Sequence, residues 1–69
     1  MINLWKYQEA KKVKLTDVDD EVFVGMVLDV TDSSEYADEE IEEDGITLDI
    51  DGRHVEFMQS EVKEIEIIE

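Results

Sequence analysis

The chain has 69 residues with 21 acidic and six basic side chains, a net charge of −15, one histidine and no cysteine. A chain this short forms one domain, residues 1–69, near the lower size limit for a self-sufficient hydrophobic core. Disulfides and Cys-based metal sites are excluded. No apolar run reaches the roughly 20 residues of a membrane helix, and the N-terminus lacks a signal-peptide core. We therefore expect a cytoplasmic protein with no membrane association.

The charge is unevenly distributed. Residues 1–16 carry a net +3, residues 17–44 carry thirteen acids and no base, and residues 45–69 carry a net −5. Such an acidic surface argues against nucleic-acid binding, which depends on clustered Lys and Arg. Negative charge can keep a small protein soluble. Alternatively, it can mimic nucleic acid and occupy the basic site of another protein.

Two elements are predicted before residue 17. Residues 2–9 predict a short helix or ordered arm, capped by Asn3, whose Leu4, Trp5 and Tyr7 pack at one end of the core. Residues 11–16 alternate in polarity, which predicts a strand with Val13 and Leu15 inward and the lysines outward.

The longest apolar segment is E-V-F-V-G-M-V-L-D-V, residues 21–30. Its β-branched and aromatic content predicts a strand. Apolar residues occupy both alternating sets of positions, so the strand should be central, bent, or covered on both faces. Gly25 indicates a bend or a close approach of another backbone. The second apolar face could be covered by the N-terminal arm, by the far side of the fold, or by another copy.

The inward face of this strand depends on the length of the preceding turn. A two- or four-residue loop would place Val24 and Met26 opposite the core residues of the first strand. A loop of odd length would place Phe23, Gly25 and Val27 there instead. The sequence allows both.

Residues 31–45 predict a long, mobile acidic loop, because charge is dense and two serines and a glycine interrupt it. An EF-hand calcium loop that started at Asp29 would place Ser34 where Gly is required, so we expect no dedicated calcium site. The loop acids are Asp32, Glu35, Asp38, Glu39, Glu40, Glu42, Glu43 and Asp44.

Residues 46–59 predict a β-hairpin with Asp51-Gly52 as its two-residue turn. In that register Ile50 opposes Arg53, Asp49 opposes His54 and Thr47 opposes Glu56. The core face then carries Ile46, Leu48, Val55 and Phe57.

The C-terminal segment predicts one 3₁₀ turn at residues 60–62, followed by a strand with Ile65 and Ile67 inward. Ile68 breaks the alternation and is a candidate for contact outside the domain.

The predicted fold is mainly β, a five-stranded SH3-like barrel with a short N-terminal helix or arm and a long acidic loop after strand 2. The first two predicted strands resemble those of a known family. Val13-Lys14-Leu15 in the first strand and V-F-V-G-M-V at 22–27 resemble the opening half of Sm-like (LSm) domains, including those of small bacterial proteins.

The resemblance implies assembly into rings of copies through the fourth and fifth strands, here residues 53–59 and 63–68. It also implies an RNA pocket with an Asn after the second strand and an Arg-Gly or Lys-His pair before the last strand. The single asparagine is Asn3, and Gln59-Ser60-Glu61 occupies the position of the basic pair. The fold carries over to this chain, but the RNA-binding residues do not.

We expect a non-enzymatic interaction or structural module that self-associates or binds a protein. His54 could act as a general base, but no nucleophile or second catalytic group accompanies it in the sequence, so it is interpreted as a cross-strand partner of Asp49. No cofactor, metal or small-molecule substrate is expected. The alternative is the acidic mimic of nucleic acid. The predicted interaction residues are Val55, Phe57, Ile65, Ile67 and Ile68.

Overall fold

A computed structural model of the chain describes residues 2–32 and 43–69. Five strands form one antiparallel sheet in the order β4-β3-β2-β1-β5. The mainly β class is confirmed, and the apolar segment at residues 21–30 forms the central strand. The strands are β1 (Lys12–Asp17), β2 (Val22–Thr31), β3 (Gly45–Ile50), β4 (Arg53–Met58) and β5 (Val62–Ile67).

The N-terminal arm is a 3₁₀ helix, Leu4–Tyr7, and the predicted cap is present because the Trp5 backbone N–H donates to Asn3 Oδ1 at 3.1 Å. Leu4 is fully buried and Tyr7 is half-buried, but Trp5 is 38% exposed. The helix therefore closes one end of the core mainly through Leu4, and Trp5 lies at the edge of that contact.

The length of the turn between β1 and β2 matches the face of β2 that is inward. Asp17 and Glu21 are joined by the Asp17 N–H to Glu21 carbonyl hydrogen bond of 2.9 Å, which leaves three residues in the loop. Asp20 closes it with a φ of 64°, as in three-residue hairpin loops that end in a left-handed residue. The odd length places Phe23 opposite Leu15 and Gly25 opposite Val13.

β2 pairs with different neighbours along its length. Its first half, up to Met26, pairs with β1, and its second half, from Met26 onward, pairs with β3. The register with β3 shifts between Val27 and Asp29, so Leu28 is the additional residue of a β-bulge, which bends the strand and increases its twist.

The β3–β4 hairpin has the predicted register at every pair, from Ile50 opposite Arg53 to Ile46 opposite Phe57. Asp51 and Gly52 both have positive φ, 53° and 85°, as a two-residue hairpin turn requires. β2 and β3 extend to Thr31 and Gly45, so both ends of the predicted acidic loop belong to strands.

The 3₁₀ turn before β5 is Gln59–Glu61, one residue earlier than predicted. Ile65 is buried opposite Leu15, but Ile67 is 53% exposed although it lies opposite the buried Val13. The prediction of a core position is therefore wrong for Ile67. β5 is an outer strand, and in the described part of the chain no further strand covers its end.

The core lies on one face of the sheet, with Leu4 packed over it. Phe23 of β2 and Phe57 of β4 contact each other with ring centroids 5.1 Å apart, although β3 lies between these two strands in the sheet. No polar or charged residue in the described ranges is buried. The buried residues are Leu4, Val13, Leu15, Val30, Ile46, Leu48, Phe57, Val62 and Ile65.

Candidate functional site

The outer face of β2 carries four exposed apolar side chains. The inward positions Phe23, Gly25 and Val27 face the core, which turns the alternate residues outward. An uncharged row of large side chains on a central strand is unusual on a surface that is otherwise so acidic. We call this the β2 outer row: Val22, Val24, Met26 and Leu28, exposed by 52%, 44%, 47% and 47%.

Two lysines border the β2 outer row on the β1 side. Lys14 lies opposite Val24, and Lys12 lies opposite Met26. Lys12 Nζ is 3.7 Å from a carboxylate oxygen of Glu69. Beyond Lys12, the Ile68 backbone N–H donates to the Lys12 carbonyl at 3.0 Å, and the Ile68 side chain is 43% exposed. The row thus has a positive border and one further apolar residue beyond it.

The opposite border is acidic. Asp49 of β3 lies opposite Met26, and its Oδ1 accepts a 2.8 Å hydrogen bond from the Gly52 N–H. On the next strand His54 lies opposite Asp49, in the predicted cross-strand register. The outer face is therefore asymmetric about β2, with Lys12 and Lys14 on β1 and Asp49 on β3. Beyond β1, Glu66 of β5 lies opposite Lys14.

In the described part of the chain, His54 lies opposite Asp49 in the β3–β4 hairpin. Residues 2–32 and 43–69 contain no group of three His, Asp or Glu side chains arranged to hold a metal, and no cavity. Within these ranges every buried side-chain polar atom has a hydrogen-bond partner. His54 itself is exposed at the outer strand of the sheet.

The predicted interaction residues do not form one surface. Phe57 and Ile65 are buried in the core, and Val55 is half-buried against it. Only Ile67 and Ile68 are exposed to contact a partner directly. The β2 outer row is not among these predicted residues, although the apolar residues at both alternating sets of positions in 22–30 are the signal for it. Because the sequence does not fix the turn length, it does not show which of the two sets is exposed.

Three of the predicted loop acids, Asp32, Glu43 and Asp44, lie in the described part of the chain. Glu43 accepts hydrogen bonds from the Ser60 N–H at 2.7 Å and from Ser60 Oγ at 3.0 Å. The Asp44 carbonyl accepts from the Gln59 N–H at 2.9 Å. Glu43 and Asp44 therefore stabilise the 3₁₀ turn before β5 through hydrogen bonds. Asp32 is exposed. Outside the described residues are Glu35, Asp38, Glu39, Glu40 and Glu42.

Asp44 also reaches the N-terminal helix. The Trp5 indole Nε1–H donates to Asp44 Oδ2 at 3.0 Å, and the Gln59 side-chain amide donates to the Ile2 carbonyl. The N-terminal helix, the start of β3 and the turn before β5 thus meet at one acidic corner. The Trp5 indole N–H is engaged there, which agrees with the predicted packing of the N-terminal helix against the core.

A second acidic cluster occupies the β1–β2 turn. Asp17 Oδ1 accepts hydrogen bonds of 2.9 Å from the backbone N–H groups of Asp19 and Glu21. Lys63 donates to Asp20, and this hydrogen bond, together with the charge of the carboxylate, raises the pKa of the Lys63 ammonium above its ordinary value. These contacts stabilise the three-residue loop, whose length matches the inward face of β2.

None of the helices that the structure describes is long and apolar enough to cross a membrane.

Comparisons with protein-family models, with curated proteins and with solved structures found no match to this chain.

Proposed function

We propose that this protein is a non-enzymatic interaction module that associates with itself or with another protein through the β2 outer row. The supporting observation is the exposure of four large apolar residues on the central strand, each close to half exposed. Exposed apolar patches with polar borders commonly mark protein interaction sites. At roughly 25 cal/mol per Å² of buried apolar surface, covering this row is a substantial driving force for association.

We also propose that the sheet is a small barrel of the SH3-like and Sm-like kind. In a flat sheet four spacings of about 4.8 Å would separate β4 from β5 by about 19 Å. The three-residue turn Gln59–Glu61 joins them, and such a turn advances only about 6 Å. This short connection supports a sheet that curls until its outer strands approach each other. The contact of Phe23 with Phe57 and the bulge at Leu28 agree with that curvature.

The proposed module lacks the RNA-binding function that the Sm-like resemblance implies. Gln59, Ser60 and Glu61 stand where the family has its basic pair. In this chain Ser60 binds the carboxylate of Glu43 at that place. An ordered carboxylate there favours repulsion of a phosphate backbone over its capture.

The proposal is tested by affinity capture from the native cell extract with the tagged full chain and two variants. Met26→Glu places a charge in the β2 outer row, and Ile67→Glu makes the same change at a similarly exposed apolar residue of β5. We expect Met26→Glu to abolish the captured assembly and Ile67→Glu to retain it. The mass and composition of the assembly distinguish copies of the chain from another protein. Equal capture by both variants would remove the β2 outer row from the proposal.

A second function, mimicry of nucleic acid, is favoured by the thirteen acids and no base in residues 17–44. In that case the partner has a basic cleft, and its binding weakens steeply as salt screens the charges, because the Debye length falls from about 30 Å at 0.01 M to about 8 Å at 0.15 M ionic strength. Met26→Glu would then leave capture intact. Capture that persists in salt and is lost in Met26→Glu excludes mimicry.

A further inference from the structure

We propose that a second copy of the chain covers the β2 outer row, in a face-to-face dimer whose two-fold axis runs parallel to β2. This inference rests on the proposed interaction function and adds the partner and its orientation. It is drawn from the arrangement of charge on the two sides of β2.

The three neighbouring strands β1, β2 and β3 have a fixed order of charge on the outer face, and Glu66 of the outer strand β5 lies opposite Lys14. Lys12 and Lys14 of β1 lie on one side of the β2 outer row, and Asp49 of β3 lies on the other. Lys12 and Asp49 are both register partners of Met26, so the three residues form one row across the sheet. The surface therefore runs from positive through apolar to negative along a single line.

A two-fold axis parallel to β2, lying between two facing sheets, exchanges the left and right sides of the face. β1 of one copy then lies over β3 of the other, while Met26 lies over Met26. Lys12 of each copy faces Asp49 of its partner, and the symmetry forms this pair twice. Packed sheets are about 10 Å apart, a distance that the long lysine side chain can largely span.

The other in-plane axis, perpendicular to the strands, gives the opposite result. It places β1 over β1 and β3 over β3, so that lysines face lysines and Asp49 faces Asp49. Like charges opposed across an interface are unfavourable. Both orientations bury the same apolar row, and the charges select the first of them.

The total charge of the molecule opposes any such dimer. Each copy carries −15, so two copies carry −30 and repel each other at long range. Salt screens this repulsion more than it weakens apolar contact. We therefore expect the dimer to tighten between about 0.01 M and about 0.15 M salt, which is the reverse of the behaviour of a nucleic-acid mimic with its basic partner.

The experiment is sedimentation equilibrium of the full chain, Lys12→Glu, Asp49→Lys, and a mixture of these two variants. Each single variant converts both opposed pairs into like-charge pairs, and we expect its dissociation constant to rise roughly tenfold. In the mixture, the heterodimer regains two opposed pairs and should form with the wild-type constant. Its net charge, −17 plus −13, equals the −30 of the wild-type dimer.

The direction in which the dissociation constant changes in Asp49→Lys distinguishes an effect of local pairing from an effect of total charge. Asp49→Lys brings the homodimer from −30 to −26, so total charge predicts tighter association, whereas the proposed pairing predicts weaker association. Lys6→Glu, at an exposed residue of the N-terminal helix, makes the same charge change as Lys12→Glu outside the sheet. We expect this control to change the constant much less than Lys12→Glu does.

Because Asp49 also holds the Asp51-Gly52 turn, a second pair of variants keeps the test independent of folding. Met26→Glu should yield monomers, and Ile67→Glu should remain dimeric, both with the circular dichroism of the wild type. A wild-type chain that is monomeric at millimolar concentration in moderate salt would overturn the inference. So would a dimer that survives Met26→Glu, or a mixture that regains no affinity.

These outcomes are separable from failure of the proposed function. A monomeric chain that still captures another protein through the β2 outer row overturns the dimer and leaves the interaction function standing. A dimer lost in Ile67→Glu and retained in Met26→Glu would place self-association at the β5 edge. Loss of both capture and self-association contradicts the interaction function itself.

Discussion

Gly25 of β2 lies against the backbone of β3, where there is no room for a side chain. A Cβ atom built at this position would lie 2.7 Å from the Asp49 carbonyl oxygen and 2.9 Å from Ile50 Cγ1. The first of these atoms belongs to the backbone of a paired strand, which cannot move without disturbing its hydrogen bonds. The glycine is therefore required for packing of the bent strand, as an isolated strand glycine often is.

Replacing Gly25 by alanine should lower the free energy of unfolding by about 2 kcal/mol, the usual cost of overpacking a core. In a domain of this size that loss corresponds to a fall in Tm of roughly 10 °C. Urea unfolding followed by circular dichroism measures it. The control is Val24→Ala, a truncation at the neighbouring exposed residue, for which we expect at most about 0.5 kcal/mol. A Gly25→Ala protein with an unchanged urea midpoint would contradict the close approach.

At the scale of single elements, the turn before β5 is held by the start of β3 as well as by its own backbone. Glu43 accepts two hydrogen bonds from Ser60, and the Asp44 carbonyl accepts one from Gln59. The turn also bonds to the β1–β2 loop, because the Val18 N–H donates to the Glu61 carbonyl at 3.0 Å. These contacts let a three-residue turn connect the two outer strands of the sheet.

We expect Glu43→Ala to destabilise the fold by about 1 kcal/mol, because it removes two charge-assisted hydrogen bonds at a partly exposed site. Ser60→Ala should cost less, since the backbone N–H of residue 60 retains its bond to the carboxylate. Glu9→Ala removes the same charge at an exposed residue and serves as the matched control. Chemical denaturation of the three variants gives the comparison. Equal stability of Glu43→Ala and Glu9→Ala would show that the anchor contributes nothing.

For the whole molecule, the dominant long-range term is self-repulsion. The chain carries −15, and in the described residues the acids are at the surface, since no charged residue is buried there. Folding brings these charges closer together than they are in the extended chain. Repulsion therefore destabilises the compact state, and added salt should relieve it.

We expect the free energy of unfolding to rise on the order of 1 kcal/mol between about 0.01 M and 0.15 M sodium chloride. Dilute protein keeps association from contributing, and thermal unfolding at each salt concentration measures the rise. A stability that falls with salt at neutral pH would mean that local ion pairs such as Lys63 with Asp20 outweigh the net charge.

Features that depend on neighbours along the chain are predictable from the amino-acid sequence. The β3–β4 hairpin was predictable pair by pair because Asp51-Gly52 fixes both the turn and the register. Val13 and Leu15 were identified as core residues because alternation of polarity reports a half-buried strand. The number of strands, the 3₁₀ turn and the Asn3 cap follow from signals of the same short range.

The buried face of β2, in contrast, depends on contacts between residues that are distant in the chain. Several turn lengths are compatible with Asp17, Asp19 and Asp20, and both faces of the strand are apolar. Neither local signal therefore selects which set of alternate residues points inward. The choice comes from packing at a distance: Gly25 fits against Asp49, and Phe23 reaches Phe57. That choice turns Val22, Val24, Met26 and Leu28 outward. The exposed row, on which the proposed function depends, is therefore a consequence of contacts between strands.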